Sequence, residues 1–236
     1  MSYRTSSIDL MSSVLDAMDF TVTIQNVVED PAGTFTLTVC DVLHAEPGRR
    51  ITIDGNRYTI ASVDAPNTLV LSGEDAITAE SFELYRPYFF FGTPIGTEDE
   101  LEQEKNASNK TPMIWMMLPF QDRPDENPES AFDRELDVRL FFLTQADHEK
   151  WLTPDANEKA IQPMRRLEER YWAKVKQMIS RFNVDRTSSK INDYPKFGVY
   201  LNGKSDKSLW ADKLAGCESS ITGLRIYHAG TCEQEC

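Results

Sequence analysis

The clearest hydrophobic pattern in the chain lies between residues 161 and 179. Apolar side chains recur there every three or four residues, and charged side chains fill the positions between them. That spacing predicts an amphipathic helix with one buried face. The predicted buried face consists of Ile161, Met164, Leu167, Tyr171, Trp172, Val175, Met178 and Ile179, and the predicted solvent face consists of Arg165, Arg166, Glu168, Glu169, Arg170, Lys174 and Lys176.

Strand-like apolar runs flank this helix on both sides. Residues 113–118 and 135–143 precede it, and residues 196–201 and 219–228 follow it. A second apolar stripe at residues 8–20 predicts an N-terminal helix. Because a helix buries its apolar face against a neighbouring layer, the pattern predicts an α+β fold. In that fold the helix packs on a small, mainly antiparallel ββαββ sheet.

Between residues 21 and 86 the hydrophobic period becomes alternating. Short runs such as residues 34–39 are separated by turn-forming residues, and Asp54-Gly55 between two runs is a strong hairpin signal. These short strands predict a small, inserted β-barrel or sandwich. The predicted domains are residues 1–20 as an N-terminal helix of the α+β domain, 21–86 as the inserted β-domain, 87–112 as a linker and 113–236 as the main α+β domain.

Charge is distributed unevenly along the chain. The net charge is −13; residues 1–104 hold 18 acidic and 5 basic side chains, whereas residues 105–236 hold 20 of each. A surface of this sign repels nucleic acid, so we expect no sequence-specific nucleic-acid binding. The N-terminus lacks the pattern of a signal peptide, and no apolar run is as long as a membrane span. We therefore expect that the protein is made in the cytoplasm and that it does not associate with membranes.

An acidic pair on one predicted strand is the main indication of catalysis. Glu135 and Asp137 lie two residues apart, hence on one face, as in metal-dependent nucleases. However, Arg134 and Arg139 flank the pair and the alternate positions are apolar, which is typical of a strand with one solvated face. The sequence also lacks phosphate-binding glycine loops and nucleophile motifs. We therefore predict no enzymatic activity, no catalytic residues and no cofactor.

Four residues near the C-terminus offer a possible zinc site. Cys217, His228, Cys232 and Cys236 carry suitable thiolate and imidazole donors. Their spacing is looser than that of paired zinc ligands, and Cys40 is remote from them. Reduced, unpaired thiols of a cytoplasmic protein explain the same residues, so we expect no metal.

Aromatic side chains in predicted loops point to a protein that acts through its surfaces. They occur at residues 88–91, Trp151 and Trp210, and large aromatics are typical anchors of protein interfaces. The residues themselves therefore favour an assembly component or a soluble protein-binding adaptor without catalytic activity.

The order of elements resembles that of the tail-terminator (tail-completion) and neck proteins of long-tailed bacteriophages. The matching parts are residues 8–20, 112–118, 135–143, 161–179 and 221–226, and Asn109-Lys110-Thr111-Pro112-Met113-Ile114-Trp115 is similar to segments of phage virion proteins. Residues 21–86 depart from the pattern, because the small members of that family lack such an insertion.

This resemblance implies a structural protein of the virion, assembled in the host cytoplasm. It implies a ring, expected to be a hexamer and formed by residues 113–236, that caps the tail tube and joins it to the head connector. It implies no catalytic residues. In such a ring the acidic cluster from Glu98 to Glu104 could line the DNA channel or a subunit seam; a solvated outer loop is the alternative.

Overall fold

A computed structural model describes residues 6–30, 33–64, 66–93, 111–118, 121–124, 133–145, 154–178, 190–197 and 214–227. The helices in these ranges are α1 (Ser7–Asp16) and α2 (Pro154–Met178). The strands are β1 (Thr21–Asp30), β2 (Thr34–Val39), β3 (Arg50–Ile53), β4 (Asn56–Asp64), β5 (Thr68–Ser72), β6 (Ser81–Glu83), β7 (Tyr88–Gly92), β8 (Met113–Met117), β9 (Gln121–Pro124), β10 (Asp133–Gln145), β11 (Lys190–Phe197) and β12 (Leu214–Tyr227).

The first six strands form one antiparallel sheet, here termed the barrel sheet. Its strand order is β3-β4-β5-β2-β1-β6, and β3 also contacts β6, so that the sheet nearly closes on itself. Alternating residues point inward, as in Phe35, Leu37 and Val39 on β2. These side chains build a separate hydrophobic core inside the barrel sheet.

The remaining strands form the second sheet, whose order is β11-β12-β10-β8-β7. Strand β9 also pairs with β10 and is not part of this linear order. Long antiparallel pairing joins β10 to β12, and β7 runs parallel to β8. The helices α1 and α2 cover one face, where Tyr171 donates a hydrogen bond to the carbonyl oxygen of Met11 at 2.6 Å.

The opposite face of the second sheet is also apolar. Trp115 and Phe141 stack there with ring centroids 5.0 Å apart, and Phe197 packs edge-on against both rings. These three side chains are fully buried. The second sheet is therefore buried on both faces around β8 and β10, whereas the barrel sheet encloses a single core.

The predicted fold class is wrong. The chain is mostly β, with two sheets, and is not an α+β fold of a helix packed on a ββαββ sheet. Part of the reason lies in strands that the sequence pattern did not reveal. Strand β7 has no polar alternation and precedes a Gly-Thr-Pro break, and β9 carries a proline and charged residues. Both pair into the second sheet because tertiary partners supply their hydrogen bonds.

Individual elements fare differently. The long helix is confirmed, and α2 includes a first turn that begins at Pro154. Met178, assigned to its buried face, is exposed at the end of the helix. The strand predicted at residues 196–201 was placed too late, since β11 spans Lys190–Phe197. Strand β7 occupies residues assigned to the linker, and the predicted domain boundaries otherwise remain a prediction. The acidic cluster at residues 98–104, Trp151 and Trp210 lie outside the described residues. In the described part of the chain, neither helix combines the length and hydropathy needed to cross a bilayer.

Candidate functional site

Buried and half-buried polar side chains meet where the barrel sheet contacts α2 and the second sheet. His44, Glu46 and Arg49 come from the connection between β2 and β3, Tyr85 follows β6, and Arg166 comes from α2. These five residues are here termed the junction cluster. Leu43, at φ +49°, turns the connection so that His44 and Glu46 point into the protein.

His44 is fully buried and linked to Tyr85 in both directions. Its Nε2 lies 2.9 Å from the carbonyl oxygen of Tyr85, and the Tyr85 hydroxyl donates to the carbonyl oxygen of His44 at 3.1 Å. Because a carbonyl can only accept, Nε2 carries the proton and Nδ1 is bare. No described group bonds to Nδ1. The ring also contacts Phe20 and Tyr85 edge-on, at centroid distances of 5.4 and 5.2 Å.

Burial and, to a lesser extent, nearby arginines lower the pKa of His44 to about 3, against the opposing effect of the hydrogen bond to Tyr85. The imidazole is therefore neutral at pH 7 and is a poor proton acceptor. Desolvation likewise raises the pKa of the Tyr85 hydroxyl well above its ordinary value. The pKa values of both groups lie far from neutral pH. Both groups are therefore better suited to structural hydrogen bonds than to proton transfer.

Glu46 and Arg49 connect the barrel sheet to the second sheet. Arg49 Nε binds Glu46 Oε2 at 3.0 Å, while its Nη2 donates to the hydroxyls of Thr111 and, at 3.4 Å, Thr144. Its guanidinium also lies 5.7 Å from the centre of the Tyr85 ring. Burial raises the pKa of the Glu46 carboxyl, and Arg49 opposes that effect. Arg49 thereby bridges the two sheets.

Two arginines on α2 extend the same junction. Arg166 Nε donates to the carbonyl oxygen of Leu43, and Arg170 donates to the carbonyl oxygen of Asp19 at 2.6 Å. Desolvation lowers the pKa of both guanidinium groups, and Asp41 opposes the shift for both. The middle of α2 is therefore fixed to the barrel side by charged donors that bind backbone carbonyls.

A second buried carboxylate lies on the second sheet. Glu218 on β12 accepts hydrogen bonds from Arg139 Nε at 2.7 Å, the Tyr194 hydroxyl at 2.5 Å and the Ser220 hydroxyl at 2.7 Å. Burial raises the pKa of Glu218, but these bonds outweigh burial and hold the net pKa below its ordinary value. Burial and the bond to Glu218 raise the pKa of Tyr194 to about 12. Glu218 therefore links β10, β11 and β12.

The acidic pair proposed for a nuclease does not form a described metal site. Asp137 Oδ1 accepts the backbone N–H of Gly223 at 2.7 Å, beside the point where the β10–β12 register shifts. Its carboxylate thus supports a strand irregularity. The backbone of Glu135 pairs with Arg225 and Arg123, and the side chain of Glu135 lies outside the described residues.

Of the four candidate zinc ligands, the structure describes Cys217. It lies on β12 within the core beneath α2, and burial raises the pKa of its thiol well above the ordinary value, with Glu168 and Asp193 adding to that effect. His228, Cys232 and Cys236 lie outside the described residues. Within the described ranges no group of three or more His, Cys, Asp or Glu residues could hold a metal ion.

Sequence reasoning missed the junction cluster. It assigned Arg166 and Glu168 to the solvent face of the long helix, but Glu168 is buried near Ser219 and Arg166 binds the barrel connection. A usable signal existed: His44 and Glu46 stand among the apolar residues Val42, Leu43 and Ala45. Charged groups in such surroundings require partners, but the sequence does not identify them.

Comparison of the chain with protein-family models, with curated proteins and with solved structures gave no match in any of the three.

Proposed function

We propose that this chain is a structural protein of a tailed-bacteriophage particle. In this proposal it is a tail-terminator or neck component that forms a ring, caps the tail tube and contacts the head connector. The phage context comes from the resemblance described above, in the predicted order of elements and in residues 109–115. The α+β fold class predicted from that order was wrong, so the fold gives the proposal no support.

The observation that carries a structural role is the way the junction cluster uses its charged groups. Arg49 joins Glu46 of the barrel connection to Thr111, which precedes β8, and to Thr144 on β10. Arg166 joins α2 to the same connection. Buried charges of this kind are costly unless they are paired, so their use here favours a fixed arrangement of the two sheets. A rigid building block is what a ring that bears mechanical load requires.

The charge distribution supports a position near DNA without DNA binding. The first 104 residues carry the excess negative charge, and described acids of the barrel sheet such as Glu29, Glu80 and Glu83 are exposed. Like charges repel a phosphate backbone, so a ring with this surface would let a genome pass without retaining it.

Mass photometry and negative-stain imaging of the purified chain test the proposal directly. We expect ring-shaped particles whose mass is a multiple of the 26.9 kDa protomer. Because acidic surfaces repel within a ring and salt screens that repulsion over about 8 Å at physiological ionic strength, rings should become more stable as salt rises. A strict monomer at high protein concentration would contradict the ring and favour the adaptor function.

A further inference from the structure

The two outer strands of the second sheet have opposite characters. Strand β11 carries Lys190, Asp193, Pro195 and Lys196, and its pairing with β12 shifts register after Tyr194. Charges, a proline and a bulge are the usual devices that keep an edge strand from pairing with another chain. Strand β7, with the sequence Tyr-Phe-Phe-Phe-Gly, has none of them.

One side of the β7 backbone faces away from β8. Tyr88 N–H donates to the carbonyl of Pro112 at 3.0 Å, and the carbonyl of Gly92 accepts from Leu118 at 2.9 Å. In a parallel ladder the residues that bond to one neighbour alternate, so Tyr88, Phe90 and Gly92 face β8. The N–H and C=O groups of Phe89 and Phe91 therefore point away from β8, where no described strand pairs with them.

The side chains beside this edge are exposed aromatics. Tyr88 is 45% exposed and Phe91 is 51% exposed, whereas Phe89 packs partly against the core under the helices. Tyr88 stacks on Phe90 across the other face, with centroids 6.2 Å apart. An uncharged strand with exposed rings is a template for an added β-strand.

We propose that β7 pairs antiparallel with β7 of a second copy of this chain, in the register centred on Phe90. That register places Phe89 of each copy opposite Phe91 of the other. All outward-facing N–H and C=O groups of these two residues are then paired. The exposed Phe91 ring lies beside Phe89 of the other copy, which is a favourable cross-strand aromatic pair.

The negative charge of the chain restricts where a second copy can bind. Two chains of net charge −13 repel each other over most of their surfaces, so self-association requires a contact that is locally uncharged. Strand β7 supplies one, since none of its five residues is charged. The contact is isologous: the same strand serves both copies, and the exposed Phe91 ring of each lies beside Phe89 of the other.

The size of this contact predicts a weak dimer. Two five-residue strands bury less than the ~1,200 Å² of a standard stable interface, so monomer and dimer should exchange. A two-fold contact joins copies in pairs and cannot by itself close a ring, so this inference is independent of the proposed function.

Sedimentation velocity of the full chain over a concentration series tests the pairing. We expect a reversible monomer–dimer equilibrium. Phe91→Pro removes one outward N–H and leaves the bonds to β8 in place, so it should weaken the dimer at least about tenfold. Phe91→Lys should weaken it similarly by placing a charge at the contact. Val28→Lys is the matched control, because Val28 is 56% exposed on β1 and should leave the dimer unchanged.

Three results would overturn the pairing: a monomer throughout the series, a dimer that persists in both Phe91 variants, or an equal loss in the Val28→Lys control. Melting curves establish whether each variant is folded. If Phe91→Pro does not fold, Phe91→Lys alone tests the pairing. Rings formed by a chain that shows no Phe91-dependent dimer would overturn this pairing and leave the ring proposal intact. Dimers without rings would do the reverse.

Discussion

The barrel sheet and the second sheet bury apolar surface in different ways. On β2 of the barrel sheet, buried Phe35, Leu37 and Val39 alternate with more exposed threonines. On β10 of the second sheet, Leu140, Phe141, Phe142 and Leu143 are all buried, so both faces are covered. Alternation of apolar and polar residues therefore identifies a strand only where one face meets solvent.

The largest expected effects separate the stabilities of the two regions. Leu37→Asp and Leu167→Asp each place an unpaired charge in a fully buried site, which should cost several kcal/mol, comparable with the ~5–15 kcal/mol of a whole domain. Because each sheet has its own core, we expect Leu167→Asp to abolish amide protection in the second sheet and to preserve it in the barrel sheet. Hydrogen exchange with circular dichroism measures this.

The control for this pair is Met178→Asp, since Met178 is 41% exposed at the end of α2 and its substitution should cost less than about 0.5 kcal/mol. Simultaneous loss of protection in both sheets would show that they unfold as one unit. A melting curve of Leu167→Asp like that of the unaltered protein would contradict the burial of this helix face.

Truncation of neighbouring phenylalanines tests whether the second sheet is buried on both faces. The side chains of Phe141 and Phe142 point to opposite faces of the sheet, and both are fully buried. Phe141→Ala and Phe142→Ala should therefore each lower the free energy of unfolding by about 3–5 kcal/mol. In the barrel sheet, Leu37→Ala should cost about 2–5 kcal/mol and exposed Thr36→Ala less than about 0.5 kcal/mol. Urea unfolding gives all four values. A near-neutral Phe141→Ala would refute the two-faced sheet.

Acid should weaken the junction between the two regions through His44. Its folded pKa of about 3 lies below the ordinary value of 6.5, so between these two pH values the unfolded chain binds a proton that the folded chain does not. Stability is therefore retained above pH 6.5 and lost as pH falls toward 3. The loss between pH 6.5 and 4 is at most about 3 kcal/mol, since one pH unit is worth about 1.4 kcal/mol.

Glu46 opposes this trend, because its folded pKa is raised and protonation relieves its desolvation as pH falls. Urea unfolding of the unaltered chain and of His44→Gln at several pH values isolates the histidine contribution as a difference in slope. Glu46→Gln should have the opposite effect and steepen the acid loss. Parallel curves for the unaltered chain and His44→Gln would show that His44 is not titrating in this way.

The smallest effects concern two glycines, one in each region. A Cβ at Gly216 would lie 1.8 Å from the backbone oxygen of Phe142, whereas a Cβ at Gly73 would lie 2.4 Å from the Tyr58 ring. Strand β10 cannot give way without breaking its ladder, but a ring can shift. We expect Gly216→Ala to cost about 2–3 kcal/mol and Gly73→Ala about 1–2 kcal/mol.

Gly48→Ala serves as the control. Gly48 has φ +85°, and a Cβ added there would meet nothing within 4 Å. The substitution should therefore cost only about 1 kcal/mol, from backbone strain. Thermal unfolding of the three variants gives the order. If Gly73→Ala cost more than Gly216→Ala, the tighter packing would lie in the barrel sheet.

The candidate site shows why sequence reasoning stopped where it did. The apolar stripe of α2 could be read from spacing, because burial of a helix face imposes a period on the residues themselves. No sequence pattern indicates that Arg166 and Glu168 are removed from solvent, since a charged residue on a helix is ordinarily solvated. Arg166 is half-buried and Glu168 is buried, and their partners, Leu43 and Ser219, lie more than 40 residues away in the sequence.

The sequence by itself determined the long helix, the strands between residues 21 and 86 and the negative charge of the first part of the chain, because each is a local or additive property of the residues. Tertiary structure decided the mostly β architecture, the entry of β7 and β9 into the second sheet and the junction cluster. The physical reason is that strand pairing and the burial of charge depend on partners brought together from distant positions. A short aromatic run such as residues 88–92 becomes a strand only when β8 lies beside it.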